Sequence, residues 1–129
     1  MSREVFDAFI DILVTPKFLL HLEAALILLA ACIAYHLAHA SWLWFALLFL
    51  TPDLFMLGYL ANPRVGAAVY NSAHTYGVPL AVIMFLAVIG EMHSAWLLLI
   101  WIAHIAFDRL MGYGLKYGTA FKDTHLQRI

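Results

Sequence analysis

Leu26-Ile-Leu-Leu-Ala-Ala-Cys-Ile-Ala34 and Ala81-Val-Ile-Met-Phe-Leu-Ala-Val-Ile89 decide the fold. A helix in a soluble bundle carries a polar stripe opposite its apolar one. Neither run has such a stripe, so both belong in hydrocarbon rather than in a water-facing core. Outward from them the charge pattern agrees. No Lys or Arg lies between Lys17 and Arg64, where the only carboxylates are Glu23 and Asp53. None lies between Arg64 and Arg109, where only Glu91 and Asp108 are acidic. A membrane-spanning helix needs about 20 apolar residues. Each block holds two: 18–38 and 41–60, broken at His36–Ser41, then 66–89 and 94–111, broken at Gly90–His93. The expectation is a single all-α domain, an integral-membrane four-helix bundle over residues 1–129 with a tail at 112–129.

The totals support that reading. The 129 residues are 65% hydrophobic and 12% charged, against about 45–50% apolar and about 25% charged in soluble domains. One cysteine and a net charge of −1 exclude a disulfide scaffold and a nucleic-acid partner. All seven basic residues (Arg3, Lys17, Arg64, Arg109, Lys116, Lys122, Arg128) fall at the N-terminus, between spans two and three, or at the end of the chain. The positive-inside rule then puts both termini in the cytoplasm of a multi-pass protein, expected in a bacterial inner membrane. Val5, Phe6, Phe9, Ile10 and Leu13 share one helical face opposite Arg3, Glu4, Asp7 and Asp11, which predicts a short interfacial helix ending at Pro16. Asp7 and Asp11 also make this stretch unlike a secretory leader.

Ionisable side chains inside a span are costly and mark sites by default. At 1.5 Å per residue, Glu23 lies roughly 8 Å deep, Asp53 and His74 about 10–12 Å, His104 roughly 10 Å and Asp108 roughly 5 Å. All fall in the cytoplasmic half although chain direction alternates. Asn71 and His74 share a helix face, as do His104 and Asp108. Carboxylates and imidazoles on facing helices are the composition of a bundle-core metal site, and equally of a hydrogen-bond network tying helices together. The metal reading gives Asp53, His74, His104 and Asp108 to one divalent ion, with zinc the fitting choice. Asn71 and Lys116 would support it from outside. Glu23 or His125 would handle a proton, and Arg109 an anionic group. The tail, with Gly112, Gly114 and Gly118, is short enough to fold back under this layer and bring His125 to it.

The run Pro52-Asp53 … Gly58-Tyr59-Leu60 … Tyr70-Asn-Ser-Ala-His74-Thr-Tyr76 … His104-Ile-Ala-Phe-Asp108-Arg109 … Gly112-Tyr-Gly-Leu-Lys116-Tyr117 … Phe121-Lys-Asp-Thr-His125-Leu126 resembles the bacterial domain-of-unknown-function family 4260, from about Glu23 onward. That resemblance implies a small multi-span membrane protein. Pro52-Asp53-Leu54, Ala73-His74-Thr75 and His104-x-x-x-Asp108 with Tyr113-Gly114 are also similar, more weakly, to inner-membrane proteins described as metal-dependent hydrolases. Phe55 stands where those carry a second Asp, and the upstream partner histidine is missing. The function expected is a metal-dependent hydrolase acting on a lipid-like or anionic small molecule at the bilayer, with a homo-oligomer compatible. The alternatives are a proton- or ion-coupled transporter or channel subunit, and a structural membrane protein.

Overall fold

In a computed structural model all residues from Met1 to Ile129 are described, and the chain is helical throughout except for its tail. Helix α1 (Arg3–Leu13) is capped by Ser2, whose hydroxyl accepts from the Val5 N–H, and none of its residues is buried. Pro16 opens α2 (Pro16–Leu37), as a proline at the first helical position should. Next come α3 (Trp42–Leu48), a 3-10 segment at Thr51–Leu60, α4 (Pro63–His74), α5 (Gly77–Ile89) and α6 (Ala95–Leu110). The main packing pairs are α2 on α6, the 3-10 segment on α4, and α5 on α6.

Two of the four expected spans are interrupted. The second changes to 3-10 geometry at Thr51, where Pro52 removes a backbone donor. A 3-10 run of ten residues is long for that conformation. At about 2.0 Å rise per residue it stretches the chain, and it aligns Asp53 with Met56 and Tyr59 at i, i+3 spacing. The third span breaks after His74, and its halves Pro63–His74 and Gly77–Ile89 meet at a 45° bend. Pro79 is the physical cause. Its ring conflicts with the carbonyl four residues back, at Thr75, and Thr75 is extended (φ −101°, ψ 139°).

Pro16–Leu37 and Trp42–Leu60 are long and apolar enough to cross a membrane, and the bent pair makes a third if counted as one span. Helix α6, at 16 residues, falls short of the usual length. Only 21 of 129 residues are buried, and Leu26, Leu29, Leu47, Leu57, Phe85 and Val88 all face outward. A surface so apolar is explained by a lipid surround.

The interior divides into two ends. One is an aromatic plug. Tyr35 is fully buried, donates its O–H to the Ser41 carbonyl at 2.5 Å, and has the rings of Trp42, Phe45 and Trp96 about 5–6 Å from its own. The other end holds the polar residues. There, the tail does not trail off. Lys116 and Thr124 form an antiparallel bridge, and Phe121 packs edge-on against Tyr59 at 5.1 Å between centroids.

Candidate metal centre

Four side chains from three elements converge. Asp53 comes from the 3-10 segment, His74 from the last residue of α4, and His104 and Asp108 from one face of α6. His74 Nε2 lies 3.2 Å from His104 Nε2, 3.3 Å from Asp53 Oδ1 and 3.4 Å from Asp108 Oδ2. His104 Nε2 lies 3.4 Å from Asp53 Oδ1 and 3.7 Å from Asp108 Oδ2. Four ligands about 2.0–2.1 Å from a common centre in a tetrahedron sit about 3.3–3.4 Å from one another. The five separations straddle that edge length, so the group can hold a metal ion.

Hydrogen bonding defines the electronic state of the cluster. His74 Nδ1 donates to the Tyr70 carbonyl at 2.9 Å, so in the neutral ring Nε2 is a bare lone pair. That lone pair faces two carboxylate oxygens. Such a set needs a positive charge at its centre, a proton or a metal ion. The bond to the Tyr70 carbonyl is also the outer contact a ligating histidine normally makes. His104 differs, because its Nδ1 is buried without a partner.

Tyr70 matters twice. Its ring stacks on His74, 3.7 Å between centroids and 9° from parallel, and its hydroxyl donates to Asp108 Oδ2 at 3.1 Å. The two histidines are buried, whereas the Asp53 side chain is 31% exposed and that of Asp108 13%. The cluster therefore opens on its carboxylate side, into a cavity of about 270 Å³ that also meets Tyr70, Tyr113, Lys116 and Phe121.

The tail supplies the far wall of that cavity. Asn71 clamps it with two bonds to the Lys116 backbone, donating to the carbonyl at 2.8 Å and accepting from the N–H at 2.7 Å. Lys116 Nζ donates to the Phe121 carbonyl at 2.6 Å and lies over the Phe121 and Tyr70 rings. Burial lowers its pKa, opposed by Asp108. Further out, Asp123 takes a bidentate bond from Arg128 (2.9 and 2.7 Å) and a bond from Thr119. These hold its carboxyl down to about 2.

Glu23, Arg109 and His125 do not join the four ligands. They line a different, smaller cavity together with Tyr76. Arg109 spends two N–H groups on backbone, at the Tyr113 carbonyl (2.9 Å) and the His74 carbonyl (2.8 Å). The second of these is one of the carbonyls left unpaired where α4 ends. Trp101 Nε1–H takes the neighbouring one, at Ala73, at 2.6 Å. Helix α6 thus caps the break that Pro79 creates. His125 Nδ1 accepts from the Leu115 N–H at 2.8 Å. Its pKa is lowered by burial first and by the Arg109 charge second.

Sequence reasoning missed Tyr70, Trp101 and Tyr76. Tyr70 was open to detection, four residues before His74 and so on the same helix face. Trp101 was not, because its role exists only once the third span is broken.

No curated protein and no solved structure matches the chain. The similarity to inner-membrane metal-dependent hydrolases draws no support from these comparisons. One family model matches residues 17–129, with the description domain of unknown function. That match takes in every helix but α1, all four residues of the cluster and the docked tail, and by it the chain belongs to the DUF4260 family.

Proposed function

We propose that this is a multi-pass protein of the bacterial inner membrane, with both termini in the cytoplasm. In this reading Asp53, His74, His104 and Asp108 hold one zinc-type divalent ion and the protein hydrolyses a membrane-associated or anionic substrate. One observation carries the metal: five ligand-to-ligand separations of 3.2–3.7 Å, close to tetrahedral edges. Four spans follow if α6, with the 3-10 turn before it (Met92–Ser94), crosses a locally thinned bilayer. The one-sided distribution of Lys and Arg supports the orientation.

A bound ion of this class supplies Lewis-acid activation of water near neutral pH. The residues of the chain do the rest. His74 and His104 fix the centre from the buried side. Activation of water needs an open position at the ion, and Asp108, at the longest edge of the group and bonded to the Tyr70 hydroxyl, is the ligand placed to yield that position and take the proton at the cavity wall. Lys116 offers a cation to an anionic substrate in a cavity of about 270 Å³, close to the lower end of the small-molecule range.

A transporter reading has less support. A relay needs polar groups on both sides of the layer, whereas the interior at the opposite end is packed with the rings of Tyr35, Trp42, Phe45 and Trp96, and His36, His39, Glu91 and His93 there are exposed.

The test is elemental analysis of protein purified in detergent without chelator. The expected result is about one equivalent of zinc, lost in His74→Ala and in His104→Ala. Protein that contains no metal, takes up none on titration, and melts at the same temperature as both variants overturns the reading. Zinc retention without zinc-dependent turnover of any phosphate or carboxylate ester presented in micelles overturns the hydrolase part alone.

A further inference from the structure

The second cavity carries its own chemistry. It lies between α2, the break after α4, the end of α6 and the tail, and its volume is about 90 Å³. That is room for about three waters by their share of liquid volume, and so for a phosphate-sized group. Three side chains offer donors to it. Arg109 is half-buried, has no carboxylate oxygen within 4.0 Å, and keeps N–H groups beyond the two it spends on backbone. The Tyr76 hydroxyl is buried with no hydrogen-bond partner. His125 accepts at Nδ1 from Leu115, so its neutral ring carries the proton on Nε2 and donates there.

The fourth polar wall has the opposite sign. Glu23 is exposed on α2 and forms no ion pair, and its neighbours Leu22 and Leu26 face outward. The mouth of the cavity therefore lies beside the apolar surface of α2, with a carboxylate at the rim and a guanidinium, a phenol and an imidazole N–H within. A simple anion would meet Glu23 as a repulsion, and a simple cation would meet Arg109. A ligand bearing both charges satisfies both walls.

We infer that this cavity binds a phosphate-amine zwitterion, with the phosphate against Arg109, Tyr76 and His125 and the ammonium at Glu23. The mouth beside the lipid-facing side of α2 makes an aminophospholipid headgroup one source. A free phosphoamine is the other. This site shares no residue with the metal cluster, and the inference does not depend on a bound metal.

The experiment uses the full chain in maltoside micelles, with native mass spectrometry reading retained ligand. The probes are phosphatidylethanolamine, phosphatidylglycerol and free O-phosphoethanolamine. The wild type is expected to retain the ethanolamine lipid about tenfold better than the glycerol lipid, since the latter has the phosphate but no ammonium. Glu23→Gln is expected to erase that preference while keeping phosphate binding. Tyr76→Phe is expected to weaken ethanolamine-lipid binding about tenfold, the usual loss for one bond to a charged group. Binding of the free phosphoamine as tightly as the lipid assigns the soluble source, and binding of the lipid alone assigns the headgroup. Equal retention of the two lipids by the wild type and by both variants overturns the proposal, as does retention of none of the three probes. Melting temperature and zinc content of each variant report folding separately, so a folded variant with its zinc intact isolates the headgroup reading from the metal one.

Discussion

Gly66 leaves no room for a methyl group. A Cβ built there overlaps the ring of Tyr59, and one at Gly58 falls 3.3 Å from the Gly66 Cα. The 3-10 segment and α4 touch backbone to backbone at this point, and that contact fixes the distance between Asp53 and His74. Gly66→Ala is expected to destabilise the protein by about 1–3 kcal/mol, the usual cost of overpacking, read as a lower melting temperature in detergent. Tyr70→Phe keeps the stack on His74 and removes only the bond to Asp108. It is expected to lower zinc affinity about 10- to 100-fold, as losing an outer-shell partner does, measured by competition with a chelating dye. Lys116→Met keeps the length of the stem and deletes the charge. With an anionic ester substrate, KM is expected to rise several-fold with kcat little changed, the signature of lost uniform binding.

At the scale of elements, the break between α4 and α5 and the docked tail do the positioning. Trp101→Phe removes the donor to the Ala73 carbonyl and leaves a polar group unpaired at the break. The expected cost is about 1–3 kcal/mol, read as a lowered melting temperature with the helix content unchanged. The tail adds a pH dependence whose sign follows from His125. Its folded pKa is depressed, so the neutral ring contributes stability that is complete above its ordinary value near 6.5 and lost as pH falls through the folded value. Protonated, Nδ1 can no longer accept from the Leu115 N–H. Burial and the Arg109 charge on α6 both oppose the charged ring. Asp123 is held down to about 2, so its contribution is present above the ordinary carboxylate range and lost only as pH falls through about 2. Loosening of the tail between pH 7.5 and 5 therefore belongs to His125. Protection of the Leu115 and His125 amides, taken as the exchange rate relative to the free-chain rate at each pH, is expected to fall over that window in the wild type and to stay level in His125→Gln.

For the whole molecule, the topology is open to direct measurement. Cys32 is the single thiol, so a Cys32→Ser background accepts one reporter at a time. Ser2→Cys and Gln127→Cys are expected to react with membrane-impermeant maleimide only after the cells are permeabilised, and Ser94→Cys without it. Labelling of Gln127→Cys and Ser94→Cys from the same side would remove the fourth span.

The sequence by itself determined the apolar character of this chain, its all-α class, the clustering of Lys and Arg outside the apolar runs and the four polar residues of the cluster. Those properties follow from how each residue partitions between water and hydrocarbon, which depends on its type and its depth along a helix. Depth also grouped Glu23 with Asp53, His74, His104 and Asp108, and a folded-back tail was expected to add His125. The tertiary structure separated the two sets. Which side chains meet depends on the rotation of each helix about its axis, and here two prolines reset that rotation. Pro52 turns the second span into a stretched 3-10 run, and Pro79 ends α4 at His74. The caps from α6 and the fold of the tail then decide which cavity each remaining polar group faces. Such contacts join residues far apart in the chain, and no local pattern of apolar and polar residues encodes them.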